Sequence, residues 1–453
     1  MGRWISNFNT ANQFETFQET SGYSEPHVTL IKDGTGLRYI APLVETRVVA
    51  KYNVTKTDYP TQIGYNGYIS GFSAIEIDGV TQPSVVSAYT FDTLGEHTVK
   101  YTLTDPTILG DYAFDWCTGL TSVDIPNSVT SIGNVAFTSC YSLSSCTIGS
   151  NVTSIGENAF QNCTSLTSID IPNSVTSIGE GAFIGCSGLT SIDIPSGATF
   201  IGNYAFDSCS GLTSIDIPNS VTSFGYGTFK YCSSLTSCTI GSGVTSIGNY
   251  TFQKCANLTN VNIPSGVTDI GMYAFSGCTS LTSIDIPDSV TTIRKQAFMN
   301  CYSLTSVTIG SGVTSIGECA FDSCSGLTNI TILDGVTTLD TSAFARCSSL
   351  TSVTIPNSVT TLGEYAFGEC SSLTSVTIPN SVTNIDADVF YDCTSMNDVY
   401  CYPNPSNLTW NEGDKDDFKS DGSTRCHVYS QYLSSYQSKF GDEVNATFVG
   451  DLT

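Results

Sequence analysis

Three kinds of side chain in this 453-residue chain have types and spacing that could do chemistry: a column of aspartates, a column of cysteines and three histidines. Asp170, Asp193 and Asp216 recur at one phase of a 23-residue period, with Asp124 and Asp285 at the same phase elsewhere. Paired carboxylates can hydrolyse glycosides when a cleft sets them on either side of a bond, and oxygen ligands in a row could hold calcium weakly. Each of these aspartates falls on an outward position of a short alternating strand, so the column predicts a solvated ladder on an open sheet. Neighbouring like charges there would disfavour joint ionisation or attract a cation.

Thirteen of the 18 cysteines, Cys117 to Cys393, share a second phase. Zinc is not indicated, because the spacing is 23 residues, no C-x-x-C occurs and the repeating region has no histidine. Stacked cysteines would lie about 5 Å apart at Cα, which by itself permits bridging. Thirteen is odd, however, and pairing alternate members would break the repeat. The column therefore reads as a reduced, buried thiol ladder. Cys146 and Cys238 stand where other repeats have Ile or Val, which fits that apolar role. Cys401 and Cys426 flank the C-terminal segment; free thiols and a pair under oxidation both stay open. His27, His97 and His427 lie outside the repeats in separate segments, and no P-loop, dinucleotide fingerprint or H-E-x-x-H is present. The expectation is a non-enzymatic protein with no catalytic residues, cofactor or metal.

What positions these columns is a repeat. Phenylalanine recurs every 23 residues from Phe114 to Phe390, three residues before each column cysteine. A strict period of this length marks a solenoid whose coils bury a core only by stacking. One unit, from Leu166, reads LTSIDIPNSVTSIGEGAFIGCSG. Leu166, Ile169 and Ile171 alternate as a strand with one buried face, and Pro172 ends it for want of a ladder donor. Val175 to Ile178 is a second extended piece, Gly179 permits a tight bend, and Glu180 to Cys186 predicts one turn of helix with Ala182, Phe183 and Cys186 inward. At parallel-strand spacing 13 coils make a rod roughly 60 Å long.

The unit pattern L-x-x-[IV]-x-I-P-x-[SG]-V-T-x-I-G-x-x-[AT]-F-x-x-C, over about 105–400, resembles the BspA-like, Treponema-type leucine-rich repeat family. That resemblance implies a mainly β solenoid and a surface or secreted protein concerned with adhesion.

The ends leave the period. Residues 42–104 carry strand-like runs separated by turns, predicting a small immunoglobulin-like β-sandwich that caps the array; its GEHTVKYTL strand, Gly95–Leu103, resembles the last strand of bacterial immunoglobulin-like modules. Residues 401–453, with Trp410, Phe418, Tyr429, Tyr432, Tyr436, Phe440 and Phe448, predict a C-terminal cap and resemble the closing segment of Bacteroides-type members. Residues 1–41 read as a docking segment: FNTANQFETFQETSGYSEPHVTLIKDG resembles N-terminal modules of fibre-like virion proteins of gut phages and prophages. The N-terminus shows no apolar signal-peptide core, and no stretch approaches 18 apolar residues.

Net charge is −25, and the array holds 23 acidic against five basic residues. Such a surface repels nucleic acid and anionic membranes. Function then rests on columns that vary between coils. Around the phenylalanine these carry Tyr204, Tyr226, Lys230, Tyr231, Tyr250, Lys254 and Tyr273, flat apolar area with polar tips suited to recognition. The expectation is a structural and adhesive protein: a virion fibre or decoration protein of a gut phage, assembled in the bacterial cytoplasm, docked through its N-terminal region to other virion or scaffold proteins and presenting the solenoid to a host surface protein or glycan. The alternative is a bacterial cell-surface or secreted adhesin of the BspA-like class.

Overall fold

The computed structural model describes residues 46–453 except 66, 68, 412–422 and 441–445, the backbone alone of residue 69, and the backbone of the short strands Glu15–Thr16, Thr29–Asp33 and Gly36–Ile40. Most of the 1–41 docking segment therefore lies outside the described residues, as does Phe418.

The chain is a β-solenoid of leucine-rich repeats. Each coil has three sides. The first carries a short strand such as Ser214–Ile217, and the second a two-residue strand such as Ser131–Ile132. Both pair in parallel with the equivalent strand 23 residues on: Ser214 faces Ser237, and Ser131 faces Ser154. The buried residues are those the alternation marks, Leu166, Ile169, Ile171, Val175 and Ile178 among them. The first-side ladder lapses over the coils of Asp170 and Asp193 and again between Asn260–Val261 and Ser283–Asp285.

The third side differs from the predicted helical turn. No helix forms there. Instead the residues two before and two after each phenylalanine have positive φ in all thirteen coils, for example Val135 at 61° and Ser139 at 59° around Phe137. Glycine fills these places only at Gly181, Gly185, Gly227 and Gly277. Two left-handed residues per turn stop a helix and swing alternate N–H groups towards the next coil. Val135, Phe137 and Ser139 donate to the carbonyls of Glu157, Ala159 and Gln161, each at 2.7 Å. Gly179 is not left-handed. Its constraint is close approach, since a Cβ there would lie 2.7 Å from the Gly156 carbonyl carbon.

Twelve successive phenylalanine pairs stack with centroids 5.0–5.8 Å apart and planes within 15°. The column cysteines lie beneath them, buried and unbridged. Each thiol from Cys140 to Cys393 donates to the carbonyl of the phenylalanine one coil back, as Cys186 does to Phe160 at 3.0 Å. Burial pushes the thiols of Cys232 and Cys255 up.

A separate sandwich is not shown for 42–104. The strands Arg47–Val54, Phe72–Ile77, Val80–Thr81 and Gly95–Leu103 form one antiparallel sheet that joins the array directly. Arg47–Val54 pairs antiparallel with Leu120–Asp124 and so occupies the open edge of the first coil. A two-stranded ribbon, Thr61–Gln62 with Ala88–Tyr89, lies apart from that sheet, and Tyr52 and Tyr101 both donate to its neighbour Ile63. Phe72 and Tyr101 begin the aromatic stack, 5.7 and 5.1 Å from Phe114. At the other end both sides continue past the last phenylalanine. Thr409–Trp410 extends the second side, while Arg425–Tyr429 and Thr447–Leu452 extend the first. The helix Leu433–Phe440 buries Tyr436 and Phe440 against this end. No helix among the described residues is long and apolar enough to cross a membrane.

Phe275 is fully buried and Tyr273 only partly. Phe275→Ala should cost about 3–5 kcal/mol by chemical denaturation, and Tyr273→Ala roughly 1 kcal/mol; equal losses would refute this facing. The thiol ladder predicts that the native protein reacts slowly with a thiol reagent, that denaturation releases essentially all the thiols, and that reductant leaves the melting temperature unchanged.

Candidate ligand-binding edge

The left-handed turn decides which side chains face outward. Residues at the two positive-φ positions form two columns along the third side, and each side chain leans over its successor one coil on. Tyr204 lies over Gly227, whose Cβ would sit 2.7 Å from the Tyr204 ring, and Lys254 lies over Gly277. Tyr250 stacks on Tyr273 with centroids 5.0 Å apart and planes at 9°. Lys230 sits over two rings, 5.1 Å from the Tyr231 centroid and 5.6 Å from that of Tyr250. The structure thus places Tyr204, Tyr226, Lys230, Tyr231, Tyr250, Lys254 and Tyr273 on one side of consecutive coils. Their accessibility differs. Tyr226 and Tyr231 are 52% and 47% exposed, whereas Tyr204, Tyr250 and Tyr273 are half-buried. Stacking covers one face of each ring in the Tyr250–Tyr273 pair, and Lys230 lies over Tyr250 as well.

The array's five cations divide in two. Arg294 pairs with Asp269, Lys295 with Glu318 and Arg346 with Asp322. Lys230 and Lys254 make no ion pair among the described residues, although acidic residues exceed basic ones by 18 in the array. Lys230, in the same column as Asp207 one coil on, lends that buried carboxylate its charge and lies over two rings, while Lys254 covers Gly277.

Asp170, Asp193 and Asp216 are exposed on the first side, away from this edge. Among the described residues no three His, Cys, Asp or Glu side chains converge to hold a metal ion. Cys401 and Cys426 are buried and unbridged, and Cys401 lies 3.4 Å from the Tyr436 hydroxyl.

Two constellations escaped the sequence reading. One is a column of buried aspartates, Asp115, Asp207 and Asp322, each directly after a core phenylalanine; the sequence carries no signal for it, since Lys230 holds the same column position and is only partly buried. The other surrounds His427, which sits between Asp398 at 2.9 Å and Asp451 at 2.8 Å and stacks on Tyr400. Arg425 also reaches Asp398, at 2.6 Å. These residues come from three strands that only the fold makes adjacent. Burial alone would lower the His427 pKa, but the bonds to Asp398 and Asp451 outweigh it and hold the imidazole above its usual range. The His427 hydrogen bond is also the main cause holding Asp398 below the usual carboxylate range.

Residues 85–212, 176–304 and 291–409 match the model of the BspA type leucine rich repeat region. Among solved structures, the chain is similar to a leucine-rich repeat protein from Bacteroides ovatus, with 31% identity, a TM-score of 0.66 and coverage of 80% of this chain and 90% of that one. It is also similar to a leucine rich cell surface protein from Faecalibacterium prausnitzii (25% identity, TM-score 0.38, 87% and 96% covered) and to a leucine-rich repeat protein from Eubacterium ventriosum (25%, 0.37, 63% and 90%). No curated protein matches the chain. None of these similarities is to a virion protein, so the phage-fibre expectation gains no support from them.

The His427 cluster predicts a pH-dependent cap. A raised histidine pKa contributes stability that is complete below the unfolded value near 6.5 and is lost as pH rises through the folded value. The lowered Asp398 contributes stability that is present above 3.8 and is lost as pH falls through its folded value. The melting-temperature difference between wild type and His427→Gln should therefore be largest near about pH 5 and shrink towards about pH 8; a difference independent of pH would contradict the assignment.

Proposed function

The chain belongs to the BspA-type leucine-rich repeat family, and from that premise we propose that it is a non-enzymatic adhesive protein displayed outside a bacterial cell. In this reading it contacts a host surface protein or glycan through the edge formed by Tyr204, Tyr226, Lys230, Tyr231, Tyr250, Lys254 and Tyr273. The observation that carries the reading is the division of labour within each coil. The leucine, phenylalanine and cysteine columns scarcely vary and are buried, whereas the outward third-side columns vary freely and in these coils turn aromatic and cationic. Half-exposed tyrosines with lysines supply apolar area, hydroxyl groups and charge with little conformational entropy to lose. The backbone of the third side is committed between coils, so recognition there is by side chains. The second reading, a virion protein tethered through residues 1–104, rests on the resemblance of the opening segment; co-sedimentation with phage particles would favour it.

The test is retention of the purified chain on mucin-coated surfaces and a printed glycan array. A Tyr226→Ser/Lys230→Ala/Tyr231→Ser variant should lose at least about tenfold in binding with an unchanged melting temperature, the scale of a few lost interfacial anchors. Tyr302→Ser, which alters an equally exposed ring outside the edge, should bind as wild type. Equal loss in both variants, or loss in neither, would refute the edge.

A further inference from the structure

The three buried aspartates that follow a core phenylalanine occupy one column in equivalent backbone geometry, so their differences can be read against each other. Asp322 is 1% exposed and fully provided for. Ser323 donates to it at 2.9 Å. Arg346, from the next coil, grips it with Nε at 3.0 Å from Oδ1 and a second bond to Oδ2. Asp207, 9% exposed, has the Ser208 hydroxyl at 2.8 Å and the positive charge of Lys230 one coil on in its own column. Asp115 is 6% exposed and has neither provision. Trp116 replaces the serine that would donate to it. The next coil offers Thr138, whose hydroxyl is committed to the Asn158 carbonyl at 2.6 Å, and Ser139, where the corresponding coil beyond Asp322 has Arg346. No cation pairs with Asp115 among the described residues, and its Oδ1 is buried without a hydrogen-bond partner.

A buried carboxylate oxygen without a donor is costly, and here it sits beside surface suited to a cation. Trp116 is 53% and Tyr141 38% exposed, and their rings meet edge-on with centroids 6.0 Å apart. Exposed indole and phenol rings attract cations, guanidinium above all because it also stacks. The acidic excess of the array draws basic partners towards it at long range.

We infer that the first two coils form a binding site for an arginine side chain of a basic protein partner, which takes against Asp115 the place that Arg346 takes against Asp322 and stacks on the rings of Trp116 and Tyr141. The planar fork of guanidinium matches the two carboxylate oxygens as a compact ammonium cannot, so the site should prefer arginine to lysine. It does not rest on the tyrosine-rich edge at coils 204–273, and variants of that edge should leave it intact.

The test is fluorescence anisotropy of a labelled glycine–serine peptide containing one arginine, titrated with the full chain at low salt, beside the same peptide with citrulline or lysine in its place. The arginine peptide should bind saturably and the citrulline peptide at least about tenfold more weakly, the scale of losing a charged hydrogen-bonding partner. Asp115→Asn should reduce arginine-peptide binding by a similar factor without lowering the melting temperature. Ser139→Arg, which supplies the guanidinium from within the chain, should abolish peptide binding and raise the melting temperature. Equal binding of arginine and citrulline peptides, undiminished binding by Asp115→Asn, or no binding by wild type would each overturn the inference. Should Ser139→Arg fail to fold, the Asp115→Asn result decides.

Discussion

The structure depends on hydrogen bonds that leave one coil for the next. No coil satisfies its own backbone: strand donors on two sides and three turn donors on the third all find carbonyls one repeat away. On the third side this arrangement requires two left-handed residues per coil, which cost about 1–2 kcal/mol each for residues other than glycine. Three inter-coil bonds return roughly 0.5–1.5 kcal/mol apiece, so backbone terms nearly cancel. Burial of one phenylalanine per coil, worth about 1.5–3 kcal/mol, decides in favour of the turn. The aromatic stack therefore does more than fill the core; it makes the left-handed ladder tolerable.

That ladder explains the cysteines as well. A thiol three residues after phenylalanine sits beneath the ring and donates to a carbonyl of the preceding coil. A methyl of similar size would fill the space but make no bond, and a serine hydroxyl would be harder to bury. From Cys140 on, each column thiol is committed to its own carbonyl, and a bridge would have to break that bond.

The same geometry separates core from surface so cleanly that function can vary without cost to the fold. Outward columns accept glycine, asparagine, tyrosine, lysine or arginine, provided the side chain leans along the axis. Tyr204 over Gly227 and Tyr250 on Tyr273 are two solutions of that rule. The ends are handled by continuation. An antiparallel strand closes the first coil, and the last coils grade into strands and a helix that carry the aromatic core to its end.

The amino-acid sequence by itself determined the solenoid, its 23-residue register, the buried phenylalanine and cysteine columns and the outward aspartates, because a period repeated thirteen times leaves one way to superpose the coils. The outward placement of the tyrosine-rich edge was legible for the same reason. Backbone handedness was misread: Glu180 to Cys186 has helical composition, and only the glycines sharing columns with Asn158 and Tyr204 hinted that those positions are left-handed. Tertiary structure alone decided what depends on neighbours 23 or more residues away: which lysines form no ion pair among the described residues, which buried aspartate lacks a cation, that Tyr250 and Tyr273 stack on each other, and that Asp398, His427 and Asp451 meet. It also decided that the N-terminal strands join the array's own sheet, since strand runs and turns specify an alternating face but not the edge against which it pairs.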